Sequence, residues 1–406
     1  MSIQHTRHYY LDAVRAFALL LGIVFHASLS FVPIFIGWAV MDINTSGVVS
    51  IFVFTSHAFR MPLFFLVAGF FTGLKLHQLG VSVFIKSRLT RIAIPFVIAW
   101  LILRPLLASG WVMGAESMQG EVNVWTGLLA GVNSLLNAPN DFLVGTHLWF
   151  LHYLLSITFA MILLKSLLST DQHIYENVRK LILTIVTWLC SSTWGTLCLV
   201  ICTSTVLWFM RGWNIDTPDK SLIPELPIFA LYAGFFALGW VLQKHPVLLG
   251  KFMCLNWQKC FLCLISTIIG VSLSEYEGQS GHPHYYWLKA LFLVCYAMMM
   301  WTYVMIAMRI CRRFFYQANK VIQYISEASY SLYLVHLPIV IYLQIIFAEL
   351  AFHWALKLLC ICVITFVFSI LLYDVLIRAT IIGKVLNGKR KPSIILKYRY
   401  SSGVNS

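Results

Sequence analysis

The chain has 406 residues, of which 60% are hydrophobic, 15% aromatic and only 11% charged. Soluble domains carry about 25% charged residues, so most of this chain cannot face water. A soluble enzyme, a disordered protein and a disulfide scaffold are excluded. The net charge is +14, but the cations sit at the ends of apolar runs, as membrane topology requires, so nucleic acid is not an expected partner.

A spanning helix needs roughly 20 mostly apolar residues. Such segments lie near 11–36, 48–74, 89–110, 143–166, 190–210, 226–243, 257–273, 286–308, 321–347 and 354–377. They predict an all-α integral membrane protein, a bundle of about ten transmembrane helices. The fifth is the least defined, because the apolar run from Leu181 to Met210 leaves room for its first part to lie outside the bilayer. Residues 11–36 are too long for the core of a signal peptide and lack a small-residue cleavage site, so they read as a first span. With a cytoplasmic N-terminus, the inside segments hold 22 Lys and Arg and the outside loops only Arg211 and Lys220. One missed span would invert every later loop, so the bias supports this count and puts both termini in the cytoplasm. Residues 1–378 read as the membrane domain and 379–406 as a short basic tail. The ten Cys lie in apolar segments or beside inside loops. Cys260-x-x-Cys263 has no second Cys pair and reads as packing, so neither a disulfide framework nor a metal site is expected.

An ionisable group at the bilayer centre costs roughly 2.5–3.5 kcal/mol and usually marks a functional path. Four places carry such groups or strong polar stripes. The first helix has Asp12, Arg15 and His26. His26 lies eleven positions after Arg15, which puts them on one face about 16 Å apart along the axis. The plain alternative is a structural Asp12–Arg15 pair and a satisfied core histidine. The second helix has His57 and Arg60 one turn apart, followed by Gly69-x-x-x-Gly73, a spacing suited to close helix packing. They suit a buried clamp and active-site support alike. The third begins with Lys86, Arg88 and Arg91 before Ile94-Pro95. Free N–H groups, helix dipole and cations there would converge on a phosphate; positive-inside topology is the plain reason. The ninth carries Ser326, Ser329, Tyr333 and His336 in one stripe, and the fourth adds His147-Leu148-Trp149, with an aromatic-belt role for Trp149 as its plain reading. The longest outer loop, about 111–142, has Trp111 and Trp125, which suit sugar stacking and interfacial anchoring equally.

These strings resemble the membrane acyltransferase family 3. Leu11-Asp12-Ala13-Val14-Arg15-Ala16 followed by His26 is similar to its Arg-x10-His pattern. Further strings match in order: Phe59-Arg60 with Phe64-Phe65 and Gly69, then Arg88 and Arg91 before Ile94-Pro95. His147-Leu148-Trp149-Phe150-Leu151 and Ser331 to Pro338 complete the set. Within the family, the His57 to Met61 string and the ten-helix length look most like the osmoregulated periplasmic glucan succinyltransferase branch. The added hydrolase-like domain of many relatives is not expected here, and the family's Arg-x-Arg reads Lys86-x-Arg88-x-x-Arg91.

The resemblance implies transfer of an acyl group, succinyl in that branch, from cytoplasmic acyl-CoA to a hydroxyl of a periplasmic glucan or other envelope carbohydrate. The protein would sit in the bacterial inner membrane beside other glucan-synthesis proteins, with no bound cofactor. His26 would be general base or transient acyl carrier. Arg60 would meet developing negative charge or the acyl carboxylate, Asp12 and Arg15 would order the entrance, and Lys86, Arg88 and Arg91 would hold CoA phosphates. His57, His147, Trp149, Ser329, Tyr333 and His336 form a second tier. Two competing classes use the same buried groups: a transporter or flippase, although no internal repeat is visible, and a haem protein with axial ligands from His26, His57 and His336.

Overall fold

Apolar runs of this length satisfy their backbone polar groups internally only as helices, and a computed structural model of the chain, which describes residues 9–137, 146–218, 221–387 and 390–395, is predominantly helical with no strand among those residues. In chain order the helices are α1 Tyr9–Ser28, α2 Gly47–Leu79, α3 Val81–Ser117, α4 Val124–Leu136, α5 Trp149–Leu168, α6 Gln172–Ser191 and α7 Thr193–Trp208. There follow α8 Leu226–Leu242, α9 Pro246–Phe252, α10 Trp257–Leu273, α11 Tyr285–Phe314, α12 Lys320–Phe347, α13 Trp354–Arg378 and α14 Ile381–Asn387.

Eight of these are long and apolar enough to cross a membrane: α1, α2, α3, α5, α10, α11, α12 and α13. The other two expected spans differ. The run from Leu181 to Met210 belongs to α6 and α7, which together pass the same test but bend by 108° at Ser192. Ser192 leaves the helical region and its hydroxyl caps α7 by accepting from Trp194 N–H. The span expected at 226–243 is α8, apolar but only 17 residues long. The protein is thus an all-helical, multi-pass membrane protein.

Three expected boundaries move. The first helix does not reach 36; a 3₁₀ turn ends at Phe31 and Val32 is already extended, as a residue before Pro33 must be. The third helix begins at Val81, not near 89, because Gly80 with φ +74° ends α2 and the chain immediately turns helical again. The outer stretch from 111 is not loop: α3 runs to Ser117 and α4 follows. Residues 143–145 of the fourth expected span, Lys220 and residues 388–389 and 396–406 of the basic tail lie outside the described residues.

The chain divides into two compact units, Met1–Ala18 with Phe54–Ile85 and His152–Asn319, and Leu19–Val53 with Lys86–Leu151 and Lys320–Ser406. In the first unit, α2 and α8 interlock through glycines: a Cβ at Gly69 would overlap the Phe236 carbonyl, and one at Gly239 the Leu66 carbonyl. Phe65 stacks on Tyr232 at 4.4 Å, and Phe235 stacks on Trp301 of α11 at 4.1 Å. In the second unit, α12 packs against α3 and α13, and Gly127 and Gly131 let α4 lie close on α3. At one end of this unit Asp374, fully buried, accepts from Tyr324 (3.1 Å), Ser393 (2.5 Å) and the N–H groups of Ile394 and Ile395. Lys391 reaches Glu327 at 2.6 Å. Residues 391–395 are therefore strapped onto α12 and α13.

Candidate active site

Each of the helices α2, α3 and α12 contains an internal proline, and the one in α12 builds the site. Pro338 has no N–H, so the Leu334 carbonyl four residues earlier loses its intrahelical donor. His147, in the 3₁₀ turn before α5, lies 3.2 Å from that carbonyl through Nε2. A carbonyl only accepts, so His147 carries its proton on Nε2 and its lone pair on Nδ1. Nδ1 is buried and has no hydrogen-bond partner among the described residues. Tyr333, one residue before Leu334, donates its hydroxyl to the His147 carbonyl at 2.6 Å. Two bonds from α12 thus hold this histidine at both its backbone and its ring.

His336 obeys the same logic. Its Nδ1 lies 2.8 Å from the Tyr333 carbonyl and 3.2 Å from that of Leu332. Nδ1–H must donate, which places the lone pair of the neutral ring on Nε2. The ring is 5.4 Å from His26 and 6.2 Å from His147, centroid to centroid, with Tyr333 6.1 Å away. Three imidazoles and a phenol from α1, α12 and the turn before α5 therefore meet in the second unit.

Two residues outside the sequence candidates complete the arrangement. Trp38 stacks on His26 at 5.6 Å and 22°, and its indole N–H donates to Gln344 Oε1 at 2.9 Å. The Gln344 amide donates in turn to the carbonyls of His26 (3.0 Å) and Ala27 (3.1 Å). These lie in the last turn of α1, where carbonyls lack intrahelical donors. Gln344, buried on α12, thus ties the end of α1 to the indole that covers His26.

The loop carrying Trp38 is fixed by backbone bonds from Asp42 to Ser30 and from Ser46 to Phe31. It is fixed also by Asp42 itself, which pairs with Lys357 of α13 at 2.7 Å, both side chains buried. Lys357 also donates to the Ala348 carbonyl at 3.2 Å. Burial pushes the Asp42 carboxyl above the usual carboxylate range; the Lys357 ammonium and the Asn44 N–H pull it back without cancelling the effect. The pair holds the loop in register more than it adds net stability.

The remaining sequence candidates are distributed as follows. Asp12 is buried and 3.9 Å from Arg15, whose guanidinium lies over Phe71 at 5.5 Å, so the expected pair is present in the first unit. His57, in the same unit, donates Nε2–H to the Ile215 carbonyl at 2.9 Å, and Arg60, one turn further along α2, is buried. Trp149 is buried at the start of α5. Ser329 is buried and its hydroxyl donates to the Ser326 carbonyl of its own helix at 2.7 Å.

The cation group needs correction. Lys86, Arg88 and Arg91 do not stand at a free helix N-terminus, because α3 has already begun at Val81. Its free N–H groups lie a turn or more upstream of Arg88. Leu89–Ala93 instead forms a π turn, closed by Ile94 N–H to the Leu89 carbonyl and followed by Pro95, which cannot continue the ladder. Lys86 is exposed and both arginines are half-buried.

The proline argument predicts the behaviour of Pro338→Ala. The new N–H would claim the Leu334 carbonyl and release His147. Turnover at the site should fall roughly ten- to a hundredfold through misplacement, while the melting temperature holds or rises because a helix break is mended. Joint loss of activity and stability would assign Pro338 to packing instead.

A multi-pass helical bundle with imidazoles and tyrosine grouped around a proline-broken helix is suited to proton transfer at a membrane-embedded site. Residues 8–374 match the acyltransferase 3 family, whose description is an acyltransferase domain. The chain belongs to that family and is a membrane acyltransferase. It is similar to glucans biosynthesis protein C of Escherichia coli O157:H7 and of Escherichia coli strain K12. Each is 24% identical over 389 residues, covering 94% of this chain and 95% of the relative. No solved structure matches it.

Proposed function

We propose that this acyltransferase moves a succinyl group from cytoplasmic succinyl-CoA to a hydroxyl of a periplasmic glucan or related envelope carbohydrate, in the bacterial inner membrane with both termini in the cytoplasm. The observation that carries the reading is the grouping of His26, His147 and His336, two of them with tautomers imposed by helix carbonyls. The names of the relatives support a glucan acceptor, and the bias of cations toward one side supports the orientation. His26 takes the proton of the acceptor hydroxyl as its oxygen attacks the thioester carbonyl. The carbon–sulfur bond breaks and CoA leaves as the thiol, carrying that proton away. His336 Nε2 and His147 Nδ1, both acceptors, orient the sugar by taking hydrogen bonds from its neighbouring hydroxyls.

Lys86, Arg88 and Arg91 hold the CoA phosphates. A hydrogen bond to a charged group is worth about 1.5–3 kcal/mol, so Arg88→Ala with Arg91→Ala should raise the half-saturating donor concentration tenfold or more. An unchanged donor affinity would return these residues to a topological role. The direct test incubates purified protein with radiolabelled succinyl-CoA and unsubstituted glucan without vesicles. Label in ester linkage on the glucan supports the reading; label that never leaves CoA rejects it.

A further inference from the structure

Trp38 and Trp111 come from distant parts of the sequence and meet edge to face, with ring centroids 5.4 Å apart and planes at 69°. A specific close approach brings them together. Gly114 lies three residues after Trp111 on α3, and a Cβ there would overlap the carbonyl of Ala39, the residue after Trp38. Only glycine lets α3 lie this close to the loop. The loop is itself immobilised by the Asp42–Lys357 pair and by Gln344. The indole N–H of Trp38 is spent on Gln344 and one of its ring neighbours is His26. Trp111 remains 37% exposed.

A fixed aromatic pair, one ring against the imidazole and the other open, offers a flat apolar platform beside a base. Sugar rings present just such a flat C–H face, with hydroxyls at the rim. We propose that Trp111, set against Trp38, is the acceptor subsite, and that it takes the apolar face of a pyranose so that a rim hydroxyl points at His26. This rests on the carbohydrate acceptor proposed above. Gln344 is a positioning residue in it, since it aligns Trp38 with the end of α1.

The test uses the full chain in lipid nanodiscs and a linear, unsubstituted glucose oligosaccharide, with affinity read by titration calorimetry in the absence of donor. Trp111→Leu keeps an apolar side chain but no ring, and should weaken binding about tenfold. Trp111→Phe should recover most of it. Trp125→Ala, on exposed α4, is the control and should bind as the wild type does. In transfer assays Trp111→Leu should raise the half-saturating oligosaccharide concentration by the same factor without moving that of the donor. Undiminished affinity in Trp111→Leu, or an equal loss in Trp125→Ala, overturns the subsite in favour of interfacial anchoring. Oligosaccharide that binds through Trp111 yet never receives an acyl group overturns the proposed reaction and leaves the subsite standing. Transfer indifferent to Trp111 does the reverse.

Discussion

His26→Ala should lower acyl transfer by about 10²- to 10⁴-fold, the usual contribution of a positioned general base. The variant should still insert and melt close to the wild type. The reason is the division of labour at this residue. Its backbone carbonyl, not its ring, ties α1 to Gln344, and alanine keeps that carbonyl. What disappears is the ring between Trp38 and His336, and with it the group proposed to accept the hydroxyl proton. Initial rates with labelled donor, measured beside thermal unfolding in detergent, separate the two effects. A variant retaining a tenth or more of the wild-type rate would remove His26 from this role.

Lys357→Met should be the most costly single substitution for stability, by about 3–5 kcal/mol, because it leaves the Asp42 carboxylate buried without its counter-ion. Removing both charges, as Asp42→Asn with Lys357→Met, should restore most of the loss. The double variant takes away the unpaired charge along with the pair. Activity supplies a second readout. The single variant releases the loop that holds Trp38, so transfer should fall even at temperatures where the protein stays folded. Thermal melts of the single and double variants decide the matter; equal melting of wild type and Lys357→Met would show that the pair holds nothing.

The helices and much of the site could be read from the sequence because both depend on local patterns. Apolar length marks a span, and ionisable residues within one are costly enough to be conspicuous, which is how His26, Arg60 and His336 stand out. His147 and Tyr333 were visible as residues, but not the proline-freed carbonyl that joins their helices. Trp38 lies among Pro33, Gly37 and apolar neighbours, where no periodicity marks it. Its partner Gln344 is 306 residues away, and the Asp42–Lys357 pair spans 315. Pairings at such separation leave no local trace. Gln344 did carry one signal, a primary amide in a hydrophobic segment whose hydrogen bonds must be met by protein. The start of α3 was misplaced because cations usually flank a span, whereas here the helix continues one and a half turns beyond Lys86 toward its beginning.

The strap over α12 and α13 bears on how the protein can be handled. Asp374 depends for three of its donors on Ser393, Ile394 and Ile395. Trimming the chain at Arg390 to ease crystallisation would strip those donors and strand a buried anion beneath the last helix. An affinity tag belongs beyond residue 395, or at the opposite terminus, if purified material is to keep its native architecture.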